Sequence, residues 1–465
     1  MESTVHRASA IMRRSRQEIH ARTALKAMTM NAPELLSPAG RLKNARFAYA
    51  YGADAVYAGQ PRYSLRARNN DFSMENLRSG IEYAHGLGRK FFVASNVLPH
   101  DNKVKTYLRD MEPVVEMHPD ALIMADPGLI MLVRERWPEI PIHLSVQANT
   151  LNAQAVRFWK SVGIERVILS RELSLDEIES IRQQCPDIEI EVFVHGALCI
   201  AYSGRCLLSG YFKHRDPNQG ACTNSCRWKY GLQPASETQE GDIQTIAVGG
   251  CGEAHDSGPV EGVYLLEEAQ RPGELMPIFE DEHGTYIMNS KDLRAVQHVA
   301  RLARMGVDSL KIEGRTKSFF YAARTAQIYR RAIDDAIAGR DFDMDLMVAL
   351  DGMANRGYTE GFYRRHVPDE YQNYESGASR SDSQRFVGEV TDNDGQWLTV
   401  EVKNRIRIGD ALELMLPSGN RRFTLEHMQD LNGQAMDIAP GSNYIVQIPA
   451  PSDVTTDFGL LIADL

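Results

Sequence analysis

Four of the six cysteines fall inside one 28-residue window, Cys199, Cys206, Cys222 and Cys226, spaced C-x6-C-x15-C-x3-C. Thiolates are soft donors, and four of them suit either a [4Fe–4S] cluster or tetrahedral zinc. Structural zinc usually shows two tight cysteine pairs. Here only Cys222 and Cys226 are close, so the spacing favours iron–sulfur and leaves zinc as the alternative. Gly196, Gly204, Gly210 and Gly220 would let the backbone fold closely around a compact centre. Cys185 and Cys251 lie outside the spacing. Cys185, at a helix end, reads as an ordinary small residue; Cys251, between Gly250 and Gly252, could replace a ligand or be a loop thiol. Six cysteines in 465 residues are too sparse for a disulfide scaffold, and their clustering suits metal binding in a reducing compartment such as the cytoplasm.

Other reactive side chains sit where short apolar runs end. Arg62, Arg66 and Arg68 place three guanidinium groups in seven residues, enough to clamp carboxylates or phosphates, or simply to be solvated. Gln147 and Asn149 follow one run, and Arg171 and Glu172 another; both pairs could line a pocket or cap the next helix. His195, four residues before Cys199, could donate a proton, hydrogen-bond a cluster or be structural. Lys311, Glu313, Arg315 and Lys317 end a further run with mixed charge, which fits an anion site or a solvated ion-pair network. The candidate catalytic residues are therefore His195, Arg62, Arg66, Arg68, Glu313 and Arg315, with no general base assigned. There is no H-E-x-x-H, no G-x-S-x-G and no caspase- or papain-type cysteine motif, so a hydrolase would have to rest on Cys199 with His195.

The elements that must position these residues repeat a strand–helix rhythm from Glu34 to about Thr325. The spacing predicts strands at Glu34–Ser37, Ala55–Ala58, Phe91–Ala94, Ala121–Met124, Ile142–Val146, Arg166–Leu169, Ile188–Val194 and Ser309–Ile312, brief and continuous as in a parallel sheet covered on both faces. Between them run helical stripes: Leu77, Ile81 and Ala84 after Ser73; Leu175, Ile178 and Ile181 after the capping-box pair Ser174 and Glu177; and Leu293, Val296, Ala300 and Ala303. Gly52, Gly88, Gly163 and Gly306 each lie three residues ahead of a strand, the stop signal of a left-handed helix C-cap. Eight such units predict an α/β fold, a TIM-type (β/α)8 barrel over residues 33–325. A ninth candidate strand, Tyr286–Asn289, is assigned to an inserted hairpin. A doubly wound sheet is the competing architecture, disfavoured because no G-x-G-x-x-G follows the first strand.

The cysteine segment 199–226 follows the seventh strand, and a Gly-, Glu- and Ser-rich insertion spans 233–275. A helical and polar connector follows at 326–382. From 383 to 465 the period changes to two, with strand-like runs Arg385–Thr391, Trp397–Val402, Ala411–Leu416, Arg422–His427 and Tyr444–Ile448, predicting a small all-β barrel domain. Lys403, Arg405, Arg407, Arg421 and Arg422 make that domain a second place for nucleic acid to bind.

The net charge of −10 offers no global attraction to nucleic acid or anionic lipid, so an RNA partner needs local basic patches. No run of about 18 apolar residues appears, which excludes a membrane helix. Residues 1–32 are basic, with six Arg or Lys against two Glu in the first 30, and lack a clear cleavage pattern; they are expected to be a disordered extension or a misassigned start, with folding sequence beginning near Pro33.

The segment from Glu191 to Cys199, EVFVHGALC, with Gly204, Cys206 and Ser209 after it, resembles the signature of the peptidase U32 family. The likeness runs from about Pro33 to the C-terminus through PELLSPAG, YGADAVYAGQPRYSLRARNNDF, LSVQAN, RVILSRELS, HGTYIMNSKDL, DSLKIEGRTKS and NYESG. It is strongest to members of the family that modify tRNA. That resemblance implies prephenate-dependent formation of 5-hydroxyuridine at the wobble position, the first step toward 5-carboxymethoxyuridine. It also implies a [4Fe–4S] cluster held by Cys199, Cys206, Cys222 and Cys226. tRNA, prephenate or a related carboxylate, and a protein that delivers electrons or oxygen are then the expected partners. The alternatives are the hydrolase of the family's label and a non-enzymatic iron–sulfur scaffold presenting tRNA.

Overall fold

The computed structural model describes residues 31–64, 72–197, 201–202, 205–206, 230–237, 243–245, 263–268, 275–281, 284–287, 292–355, 357–364, 384–451 and 455–464. They divide into two compact units, one of residues up to Phe193 with Val296–Met347, the other of Val194–Ala295 with Val348 onward.

The first unit is the barrel. Its strands are β1 (Glu34–Pro38), β2 (Ala55–Gly59), β3 (Lys90–Ser95), β4 (Ala121–Met124), β5 (Ile142–Leu144), β6 (Arg166–Ile168), β7 (Glu189–Ala197) and β8 (Ser309–Ile312). Each pairs in parallel with the next, β8 pairs in parallel with β1, and β8 also pairs with β7, so the sheet closes. This is the predicted TIM-type arrangement. The helices are α1 (Leu42–Ala50), α2 (Met74–Gly86), α3 (Asp101–Val115), α4 (Pro127–Arg136), α5 (Ala153–Ser161), α6 (Leu175–Gln184), α7 (Val299–Met305) and α8 (Phe319–Ile337).

Local sequence explains where the helices begin and stop. The side chains of Ser73, Asp126, Asn152 and Ser318 each accept a backbone N–H three residues on, and Ser174 and Glu177 form the full capping box. Gly306 closes α7 in the left-handed region at φ 82°, and Gly52, Gly88 and Gly163 also have positive φ, as the repeated stop signal requires. One predicted stripe is divided. Leu293 lies in a short strand, Asp292–Arg294, Val296 opens a 3-10 turn, and the helix starts only at Val299. Apolar spacing alone does not separate a strand, a turn and a short helix that bury the same side.

In the second unit, the backbone of the insertion forms an antiparallel sheet, with strands in the spatial order Ile243–Thr245, Tyr230–Glu237, Val263–Glu268, Leu275–Asp281 and Gly284–Ile287. The strand expected at Tyr286–Asn289 corresponds to its last one, Gly284–Ile287, paired antiparallel with Leu275–Asp281. Residues His195–Ala197 pair antiparallel with Asp292–Arg294. The C-terminal sheet has six antiparallel strands in the order Arg421–Thr424, Ala411–Met415, Leu460–Asp464, Gln384–Asn393, Trp397–Val402 and Ile445–Pro449. A two-stranded ribbon of Asn404–Arg407 and Ile438–Gly441 accompanies it. Alternate residues such as Leu398, Val400 and Val402 face a core shared with Val387, Leu412, Leu414, Leu461, Val446 and Ile448.

Candidate active site in the barrel

The barrel interior is not the layered stack of aliphatic side chains usual in this architecture. Alternate residues of β7 and β8 turn charge inward. Arg166 on β6, 2% exposed, donates to Glu34 on β1 (2.6 Å) and to Glu189 (2.7 Å) and Glu191 (3.0 Å) on β7. Lys311 on β8 donates to the other oxygen of Glu191 at 2.8 Å, and its ammonium lies 4.3 Å from the Tyr57 ring centre on β2 and 5.6 Å from that of Phe193 on β7. Lys90 reaches Glu34 from the start of β3. Burial pulls the Lys311 ammonium below its usual range, and Glu191 opposes that pull. Burial would raise the Glu34 carboxyl, but Arg166 and Lys90 outweigh it and hold it low.

His143 on β5 stands edge-on to Phe92 of β3, ring centres 4.7 Å apart, and is 5% exposed. Burial drives its pKa well below 6.5, and Arg166, Lys311 and Lys90 push the same way, so the ring is neutral. Among the described residues its Nδ1 has no hydrogen-bond partner.

Toward the C-terminal ends of the strands the interior opens on a second cluster. The Tyr57 hydroxyl donates to the Ile312 carbonyl (3.0 Å) and reaches Glu313 Oε2 (3.1 Å); burial keeps this phenol protonated far above its ordinary range. Arg171, after β6, is 3.9 Å from Glu313 and lies over the Phe193 ring at 3.8 Å. Arg315 donates to Ser64 Oγ at 2.8 Å, its guanidinium 5.9 Å from the Tyr57 ring centre. Gly314 between them is at φ +142°, and a Cβ there would come within 2.6 Å of the Tyr321 ring, whose hydroxyl donates to the Glu313 carbonyl. Only glycine lets the chain turn Glu313 and Arg315 onto this mouth.

The structure therefore brings Glu313, Arg315 and Arg171 together. Arg62 stands apart, ion-paired with Asp110 on α3, and Arg66 and Arg68 lie outside the described residues. Asn149 adopts a left-handed conformation and its amide donates to the Gln147 carbonyl, so it shapes a turn. Glu172 accepts from Ser170. Lys311 is a correction. It is expected among the charges that end β8, but it lies 3% exposed inside the barrel, because its alternation with Leu310 and Ile312 turns it inward. In the second unit, His195 is 1% exposed with its ring 5.5 Å from that of Tyr358.

Cys199, Cys222 and Cys226 lie outside the described residues, as does Cys251, and of Cys206 only the backbone is described, in a two-stranded ribbon with Ala201–Tyr202. Four thiols remain a donor set whose chemistry fits an iron–sulfur cluster. Among the described residues no group of three or more His, Cys, Asp or Glu side chains could hold a metal ion, and no helix is long and apolar enough to cross a membrane. Cys185 is buried, its thiol against the Ala153 carbonyl, as expected of a small packing residue. Three of the six basic side chains of the C-terminal domain pair with acidic neighbours: Lys403 with Glu401, Arg407 with Asp410 and Arg422 with Glu413. Residues 384–465 hold twelve acidic side chains against six basic ones, so the net charge of this domain supplies no attraction to a polyanion.

Sequence reasoning missed Arg166, Glu191, Tyr57, Phe193 and His143. The signal lay in period-two alternation, Glu189, Glu191, Phe193 and Ser309, Lys311, Glu313, which marks one face of a strand.

The chain is 63% identical over 439 residues to "tRNA hydroxylation protein P" of Escherichia coli, covering 93% of this chain and 97% of that protein. It is 58% identical over 447 residues to the protein of the same name in Haemophilus influenzae, covering 94% and 97%. A 23S rRNA 5-hydroxycytidine synthase of Escherichia coli is 31% identical over 391 residues, 82% of this chain and 52% of that protein. The profile of peptidase family U32 matches residues 40–373, and that of the family's C-terminal domain matches residues 382–462. With end-to-end likeness at this level, the chain belongs to peptidase family U32.

Proposed function

We propose that this protein is an enzyme, or the catalytic subunit of one, that converts the wobble uridine of tRNA to 5-hydroxyuridine in a prephenate-dependent reaction. The observation that carries the reading is the 63% identity, spanning 97% of its length, to a protein named for tRNA hydroxylation. A relative named for hydroxylating a cytidine of ribosomal RNA supports the wider class, a hydroxyl added to a pyrimidine ring of RNA. Replacing C5–H by C5–OH is a two-electron oxidation, so the base must meet either an oxygen donor that itself takes up the two electrons or water together with a separate two-electron acceptor.

The residues proposed to hold a [4Fe–4S] cluster are Cys199, Cys206, Cys222 and Cys226, which follow β7 in sequence. Such a cluster would supply electron transfer or activation of the oxygen donor. The barrel's own groups have simpler tasks. Arg171, 3.9 Å from Glu313, and Arg315, which donates to Ser64, are the cations that would meet a carboxylate of prephenate by charge-assisted hydrogen bonds. Tyr57, held neutral, and Phe193 lie buried beside them, and would form the floor against which a base drawn out of its stack could rest.

Two measurements test this. Mass spectrometry of tRNA from a deletion strain complemented with Cys222→Ala should show 5-hydroxyuridine absent, whereas the wild-type gene restores it; unchanged levels would remove the cysteines from the reaction. Anaerobic absorption and EPR spectra with iron and sulfide counts should give four of each per chain, and one zinc in their place would select the alternative metal. Metal-free protein that cleaves peptides would return the hydrolase reading.

A further inference from the structure

Among the described residues, the loops that follow the barrel strands other than β7 divide into two sectors of opposite charge. From each strand end through the first four residues of the following helix, the described residues of the loops after β8, β1, β2 and β3 carry Arg315, Lys317, Arg41, Lys43, Arg62 and Lys103, six cations against three acids. The loops after β4, β5 and β6 carry one cation, Arg171, against four acids. Strands β8, β1, β2 and β3 are consecutive neighbours in the closed sheet, so the basic loops form one continuous arc. In a chain of net charge −10 this is a local reversal of sign.

The arc is braced as well as charged. The Asn44 amide on α1 donates to the Lys317 carbonyl (2.9 Å), and the Lys43 ammonium lies 4.1 Å from the Phe319 ring centre of α8, which joins the loops after β1 and β8. Arg315 joins the loops after β8 and β2 through Ser64. The Tyr63 hydroxyl, after β2, lies against Thr106 (2.9 Å) and Asp110 (2.8 Å) of α3, and Asp110 also pairs with Arg62, which joins the loops after β2 and β3. Lys105, in the first half of α3, is exposed, and Lys103 and Arg41 are partly or fully exposed. A polyanion meeting this arc finds cations held by several loops at fixed spacing, which lowers the ordering cost of binding.

We propose that the β8–β1–β2–β3 arc of the barrel mouth is the surface that receives the phosphate backbone of the RNA substrate. The C-terminal β-domain, acidic as a whole, is not that surface. The assignment rests on the reading of this chain as a tRNA-acting enzyme and adds where the backbone lands. By that geometry Lys103, Lys105, Arg41 and Lys43 meet phosphates, and the base enters beside Tyr57 and Phe193.

The test uses the full chain and unmodified tRNA from the deletion strain, with binding followed by fluorescence anisotropy from 50 to 300 mM salt. Each cation–phosphate pairing removed should flatten the plot of log K against log salt by roughly 0.7–0.9. Lys103→Glu with Lys105→Glu should weaken binding at least tenfold near 100 mM salt and flatten the slope by about 1.5. Arg41→Ala with Lys105→Ala, a milder pair, should flatten it by a similar amount. Arg405→Glu with Arg407→Glu, the same charge change on the C-terminal domain, should leave both unchanged. Full-strength binding with an unaltered slope in both arc variants, or weakening confined to the C-terminal variant, overturns the placement. Wild-type hydroxylation of tRNA in the complemented strain, measured alongside, separates that failure from failure of the functional reading itself. If wild-type protein neither binds nor modifies tRNA, both fall.

Discussion

The two cores of this chain are built from opposite chemistry. The C-terminal domain buries Val387, Val400, Leu412, Leu414, Leu461, Val446 and Ile448 against one another, and of its described charged residues only Glu389 and Glu413 are buried. The barrel encloses Arg166, Glu191, Lys311 and His143, with Glu34 and Glu189 closing the ladder toward the N-terminal ends of the strands. An apolar core is stabilised by water excluded from area; a charged one is stable only while each ion keeps its partner. The apolar domain can thus change by a methylene and lose little. The barrel specifies both partners of each contact, and in doing so it builds polar geometry that an aliphatic stack would lack.

The largest expected effect follows from that contrast. Glu191→Leu leaves the Lys311 ammonium without its carboxylate and Arg166 with one acceptor fewer, and should cost about 3–5 kcal/mol of barrel stability in urea unfolding. Adding Lys311→Met to that variant should restore most of the stability, since the second ion is then gone too. A double variant as unstable as the single would show that packing, not pairing, holds this layer. Leu461→Ala, in the other core, should cost roughly 3 kcal/mol through the cavity it leaves, and no second substitution of a charged residue should restore it.

The two cores are unequally legible in the sequence. The β/α rhythm and its glycine stops can be read because each depends on local backbone preference, and Gly52, Gly88, Gly163 and Gly306 all take the positive φ they announce. Interior charge cannot, because Lys311 and Glu191 have their partners 120 residues apart and an isolated Lys or Glu in sequence is indistinguishable from a solvated one. In the C-terminal domain the strand Leu460–Asp464 escapes the sequence reading although it lies between two others in the sheet. Its first four residues are all buried, so the period-two alternation seen in Trp397–Val402 and Ile445–Pro449 is absent. At the mouth, Glu313 and Arg315 stand out in sequence as the end of a strand. Their meeting with Tyr57, Ser64 and Arg171 depends on barrel closure, which no local signal contains.

A smaller effect separates the mouth from the ladder beneath it. Gly314→Ala places a methyl 2.6 Å from the Tyr321 ring in a backbone region that L-residues avoid, and should cost about 1–3 kcal/mol. Because the strain falls between Glu313 and Arg315, 5-hydroxyuridine should drop at least tenfold in a complemented strain while the urea midpoint moves less than in Glu191→Leu. Equal losses of both would mean that the mouth and the ladder behave as one structural layer.

The smallest effect is a matter of pH and reports on the neutral imidazole among the barrel's ions. The pKa of His143 is well below 6.5 in the folded protein, whereas in the unfolded chain it returns to about 6.5. Between those values the unfolded state binds the extra proton, so stability must fall as pH drops below about 6.5 and level off above it, by at most about 1.4 kcal/mol per pH unit. Glu34 acts in a separate window. Its folded pKa is below 4.5, so the stability it contributes persists above that value and is lost only in stronger acid. Urea midpoints at pH 5.0 and 7.5 therefore isolate the histidine from that carboxylate. His143→Gln, which keeps a polar group of similar size and removes the titration, should show a shallower decline between those pH values than the wild type. An identical decline would mean that the proton enters elsewhere and that the ring between Phe92 and the ladder accepts charge as readily as it does in water.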